Sequence, residues 1–173
     1  MKPETGNRKQ KTDNQVSSFK FQVSTTLVIG VGNTLREDDG VGINLVRRLK
    51  VCFPSGLNCI EVYEPDIILA QEIAGLDNVL IVDAIVAEDD RPYRIIPLKP
   101  AKSFVPSGGF VTHIFDWSTI LAMSKELFAG NPDTKLLGVS AFSFGFSESL
   151  SAPCKANAEK TFDFLASFIL PQK

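Results

Sequence analysis

Three stretches of this chain carry almost nothing but apolar and β-branched side chains: Thr26-Leu27-Val28-Ile29-Gly30-Val31-Gly32, Asn78-Val79-Leu80-Ile81-Val82-Asp83-Ala84 and Leu136-Leu137-Gly138-Val139-Ser140-Ala141-Phe142. A strand with one wet face alternates apolar and polar residues, whereas a continuous run marks a strand buried on both faces. Burial on both faces is the condition of a parallel sheet covered by helices. The first run is therefore expected to be a central strand.

The segments between these runs switch to helical spacing. Val41, Leu45, Val46 and Leu49 form one apolar stripe, with Asp38 or Asp39 placed to cap that helix. Ile67 to Ala74, Asp116 to Phe128 and Lys155 to Leu170 supply three more helices, the last with Phe162, Leu165, Phe168 and Ile169 inward. Cys59 to Tyr63 and Tyr93 to Leu98, with Pro97 near the end of the latter, complete the strands. The pattern predicts a three-layer α/β/α sandwich with a mostly parallel central sheet of about five strands.

Residues 1–24 are compositionally distinct. They hold Lys2, Arg8, Lys9, Lys11 and Lys20 against Glu4 and Asp13, with neither Leu nor Ile, and so are expected to form a disordered tail. Residues 25–173 then form a single domain, and removing the tail's +3 from the chain's net −2 leaves them at −5. That mildly acidic balance gives no reason to expect nucleic acid as a partner. No apolar stretch approaches the ~18 residues of a membrane span, and no apolar leader is seen, so a cytoplasmic protein is expected.

Residue counts exclude further classes. Cys52, Cys59 and Cys154 contain no C-x-x-C pair, which argues against a disulfide framework and a thiolate zinc site. His113 is the only histidine, so a metal cage built on two or more imidazoles is ruled out. Gly30-x-Gly32 after a strand suggests a dinucleotide fingerprint, but Leu35 occupies the third glycine position. Ala141-x-Ser143-x-Gly145 lacks the first glycine of a nucleophile elbow and reads as a turn. A Cys154–His113 thiol dyad has residue type in its favour and nothing else.

Ligands of open parallel sheets bind beyond the carboxyl ends of the strands. That rule selects the loop Gly32 to Gly42, Asp83 at the tip of its strand, and Thr112-His113. Two carboxylates and one imidazole converging there suit a divalent first-row metal with open positions. Each has a plainer reading: Asp39 as a carboxylate favoured by a helix N-terminus, His113 as a structural residue. Asp83 is harder to dismiss, because a carboxylate ending a buried strand must be solvated, paired or metal-bound.

The segment Leu27-Val28-Ile29-Gly30-Val31-Gly32-Asn33-Thr34-Leu35-Arg36-Glu37-Asp38-Asp39-Gly40-Val41-Gly42 resembles the opening signature of the nickel–iron hydrogenase maturation endopeptidases. Val82-Asp83-Ala84 resembles the family's second acidic motif, Thr112-His113 its Ser-His motif, and Phe144 to Ser151 its C-terminal region. Glu64-Pro65-Asp66 departs from the segment many members carry there, and residues 1–24 have no counterpart.

The resemblance implies an endopeptidase that removes a C-terminal extension from the hydrogenase large-subunit precursor after nickel insertion. It implies that Asp39, Asp83 and His113 bind nickel, the ion carried by the precursor. A carboxylate among these three, or Asp38 beside them, would act as general base. Two other readings are open at this point: a metal-dependent checkpoint protein that docks on the precursor without cutting it, and a nucleotide-binding α/β module.

Overall fold

The computed structural model describes residues 26–55, 57–102 and 116–169. The expected tail and Thr112-His113 lie outside the described residues. Five strands, β1 (Thr26–Val31), β2 (Asn58–Val62), β3 (Asn78–Val86), β4 (Tyr93–Leu98) and β5 (Asp133–Ala141), form one sheet in the order β2-β1-β3-β5-β4. All pairings are parallel except β4 with β5. Four helices cover it: α1 (Val41–Cys52), α2 (Ile67–Ala74), α3 (Trp117–Phe128) and α4 (Ala152–Ile169). This is the α/β sandwich that the apolar runs predict.

Strand periodicity explains the layering. Along β1, Leu27, Ile29 and Val31 join one apolar cluster with Leu69 and Ile73 of α2 and Ile120 and Met123 of α3. Val28 points to the other face, where Val46 and Leu49 of α1 meet Phe162 and Leu165 of α4. Both faces are dry, so the run has no polar alternation. No described helix is long and apolar enough to cross a membrane.

Several boundaries differ from expectation, each for a physical reason. Neither Asp38 nor Asp39 caps α1; its N-cap is Gly40, and Glu37–Gly40 form a short 3-10 turn before it. Asp83 is not at the tip of β3, which continues to Val86 because β5 extends alongside it. Asp83 does lie beyond the last rung with β1, at which Gly30 meets Val82. Helix α4 starts at Ala152 rather than Lys155, since Pro153 is tolerated in a first turn where its missing N–H costs nothing. Asp66 and Asp116 cap α2 and α3, accepting from the main-chain N–H of Leu69 and Thr119.

The switch point of the sheet lies between β1 and β3. From β1 the chain passes through α1 to β2 on one side, while β3 leads on toward β4 and β5 on the other. Helix α1 reaches into that crevice because its second residue is glycine: a Cβ on Gly42 would sit 2.1 Å from the Val82 carbonyl oxygen and 2.6 Å from that of Val31. Gly32, at φ 125°, makes the turn out of β1. A Cβ there would meet the Asp39 carbonyl oxygen at 1.8 Å. Gly32→Ala is therefore expected to cost at least about 3 kcal/mol, combining a glycine-only backbone conformation with a main-chain clash. Urea unfolding measures it, and a loss under about 1 kcal/mol would contradict this account of the turn.

Candidate active site

The loop leaving β1 is held from within. Asn33 donates its main-chain N–H to Asp39 Oδ2 at 2.9 Å and its side-chain amide to the Tyr63 hydroxyl at 2.8 Å, while its Oδ1 accepts from Leu35 N at 2.9 Å. One asparagine thus ties the end of β1, the turn after β2 and the Asp39 carboxylate together. Asp39 is half-buried, with a protein hydrogen bond to only one of its oxygens given by the described residues.

Asp38 has the opposite environment. It is fully buried; its Oδ2 accepts from the N–H groups of Phe142 (2.9 Å) and Ser143 (3.0 Å) and from Ser151 Oγ (2.8 Å), and its Oδ1 accepts from Ser151 N (2.7 Å). Burial alone would raise its pKa, but these donors outweigh it and hold the carboxyl below the usual range. Glu37 supports the same loop: its Oε2 accepts from Gly145 N at 3.0 Å and from the Ser143 hydroxyl in a closer contact. Main-chain bonds from Glu37 N to Ser147 O and from Asp38 N to Ser143 O finish the seam.

Asp38, a sequence candidate for general base, therefore anchors the 142–151 loop and has no exposed oxygen with which to meet a substrate. Ser143 is likewise an anchor, consistent with a turn rather than a nucleophile elbow. Sequence reasoning missed Glu37 altogether. Its positive φ of 49° is the only local oddity, and φ cannot be read from the sequence.

Asp83 projects from β3 beside this loop, with Oδ1 accepting from Ala84 N at 2.7 Å. Burial raises its pKa to about 6, partly opposed by that N–H, and the Asp39 charge adds to the rise. The structure thus brings Asp39 and Asp83 together electrostatically at the β1–β3 crevice. Two carboxylates that disfavour each other's charge favour a cation between them. Among the described residues no group of three His, Cys, Asp or Glu side chains is placed to hold a metal. His113, the third donor of the expected set, lies outside the described residues.

The thiol alternative loses ground. Cys154 is buried, and burial followed by the Asp38 charge pushes its thiol up to about 12. Cys59 is raised to about 11 by burial. Neither is a thiolate near neutrality.

No family model matches the sequence, and no curated protein does. Solved structures do. The chain superposes on the hydrogenase maturating endopeptidase HybD from E. coli with a TM-score of 0.64 at 23% identity, covering 82% of this chain and 90% of that one. For the nickel–iron hydrogenase maturation protease HycI from Thermococcus kodakarensis KOD1 the TM-score is 0.62 at 25% identity, with 84% and 92% covered. For a hydrogenase 2 maturation peptidase from a Thaumarchaeota archaeon it is 0.58 at 22%, with 83% and 97% covered. The chain has the fold of the hydrogenase maturation endopeptidases.

Two stability measurements separate Asp38 from Asp83. Asp38→Asn turns an amide N–H toward main-chain donors and should destabilise by about 3 kcal/mol or more. Asp83→Asn should stabilise. A carboxyl with an ordinary pKa of 3.8 and a folded value of about 6 binds its proton more tightly when folded, so wild-type stability is lost as pH rises through that window. The advantage of Asp83→Asn should be near zero at pH 3.8 and grow to at most about 3 kcal/mol above pH 6. Melting temperatures of wild type and variant across pH 3.5–8 check this, and a difference independent of pH refutes it.

Proposed function

We propose that the chain is an endopeptidase that removes the C-terminal extension of the nickel–iron hydrogenase large-subunit precursor after nickel insertion. The observation that carries this reading is the Asp39–Asp83 pair at the β1–β3 crevice of a fold shared with hydrogenase maturation proteases. The family resemblance in the loop Gly32 to Gly42, which holds Asp39, supports it independently.

In this reading Asp39, Asp83 and His113 recognise the nickel ion carried by the precursor, a substrate feature rather than a resident cofactor. Borderline nitrogen and hard oxygen donors suit such an ion, and a cation would offset the burial and the Asp39 repulsion that raise the pKa of Asp83. The nickel would supply Lewis acidity to the scissile carbonyl or to an attacking water. This chain's own residues do the rest. Asn33 N–H fixes Asp39, Ala84 N–H fixes Asp83, and the Asp38–Glu37 seam keeps the intervening turn in place. No protein nucleophile is needed. The general base is one of the two crevice carboxylates, since the oxygens of Asp38 are occupied.

Incubating the purified protein with nickel-loaded precursor and following chain length on a gel tests the proposal. Wild type should shorten the precursor, and Asp39→Asn, Asp83→Asn and His113→Ala should each slow cleavage at least about 100-fold. Serine- and thiol-directed inhibitors should have no effect. Binding without shortening would favour the checkpoint reading, and full activity of all three variants would remove the nickel-recognition assignment.

A further inference from the structure

A groove of about 630 Å³ lies beside the carboxylate pair rather than over it. Strand β2 from Ile60 onward, the turn Tyr63 to Asp66, and the side of α2 bearing Ile68 and Glu72 form its walls. Its floor is apolar: Ile60 and Val62 are half-buried, while Ile68 is 63% and Tyr63 60% exposed. Its rim is acidic, from Glu64, Asp66 and Glu72.

One wall of this groove is a sheet edge. In the described sheet β2 pairs with β1 alone, in unbroken register from Asn58 to Val62. The Val62 carbonyl accepts from Gly32 N at 3.2 Å, so the Val62 main chain faces β1. By the alternation of a strand, the N–H and C=O groups of Cys59 and Glu61 face the free edge. Exposed edges are normally blunted by lysine, proline or a bulge, and β2 has none of these. Its one charge, Glu61, is tied to Arg47 (2.9 Å) and Lys50 (3.2 Å) of α1.

The groove ends where the candidate active site begins. Tyr63 accepts from the Asn33 side chain, and the Asn33 main chain holds Asp39. We propose that an extended, cationic segment of the substrate polypeptide adds to the free edge of β2 as a sixth strand, and that this pairing delivers its scissile bond to the carboxylate pair. Cys59 and Glu61 provide two N–H and two C=O groups for main-chain bonds, which give affinity without demanding a sequence. Alternate apolar side chains of the segment enter over Ile60, Val62 and Ile68. Lysine or arginine on the same groove-facing side of the segment, flanking those apolar positions, meets the carboxylates of Glu64, Asp66 and Glu72.

The inference rests on the endopeptidase reading, so the test separates the two. Glu61→Pro deletes an outward N–H and leaves the ladder to β1 intact; Glu61→Ala removes the same carboxylate and keeps that N–H. With nickel-loaded precursor as the probe, Glu61→Pro should raise KM about tenfold over Glu61→Ala with kcat little changed. Glu64→Lys and Glu72→Lys should raise KM in a salt-sensitive manner. In wild type, hydrogen exchange at the Cys59 and Glu61 amides should slow when the precursor is added.

That exchange measurement also decides the matter should Glu61→Pro fail to fold. Precursor cleavage with equal KM for the two Glu61 variants, or with unprotected amides, overturns the strand-addition proposal alone. Protected amides on a precursor that is never shortened overturn the endopeptidase reading and leave strand addition standing. A precursor that neither binds nor shortens overturns both.

Discussion

The Asp38 carboxylate is the interaction on which the geometry at the carboxyl end of the sheet depends. A buried, charged carboxylate is tolerable only when its lone pairs are filled, and four donors from the 142–151 segment fill them. The bonds act in both directions. They stabilise the charge, and they clamp the turn after β1 to the loop after β5, elements at opposite ends of the sequence. Gly32 and Gly42 let the backbone come close enough for the clamp to form. Asp39, next in sequence, inherits its position from that clamp.

Asp38 and Asp39 are therefore chemical twins with opposite fates. One has every oxygen satisfied by protein and contributes stability. The other keeps unfilled acceptor capacity beside Asp83 and raises the cost of ionising it. Native folds concentrate such unfavourable pairings where a ligand relieves them. The stability of the first is what permits the strain of the second.

How much of this the sequence revealed follows from the range of the interactions. The strands were legible because burial on both faces removes polar residues from a contiguous stretch, and β1, β3 and β5 are such stretches. Asp39 and Asp83 were legible as site candidates because each lies toward the carboxyl end of an apolar strand run, where open parallel sheets bind ligands, and in a motif that resembles the maturation endopeptidases. The anchoring role of Asp38 was not legible. Its partners lie 104, 105 and 113 residues away, and no local pattern distinguishes a carboxylate that will be filled from one that will not. The same holds for the cap expected at Asp38 or Asp39: the short 3-10 turn takes both out of the capping position, and the tertiary contacts with Ser143 and Ser147 hold that turn beside its local bonds.

The placement of the groove follows from the same topology. Because the sheet order reverses at β1, the strand after α1 must lie at the outer edge, leaving β2 with one free side. An edge strand next to a crevice is a hazard in a protein that only needs to be stable, since it invites pairing with any extended chain. It is an advantage in a protein that must take hold of an unfolded polypeptide end, because the main chain is the one feature every such end offers. Under the proposed function, specificity would come from elsewhere: acidic residues around the groove would select charge, and the Asp39–Asp83 pair would respond to the nickel ion that a bare peptide lacks. Weak, general capture at the edge combined with a cation requirement at the crevice would let such a protein engage many chain ends while acting on few.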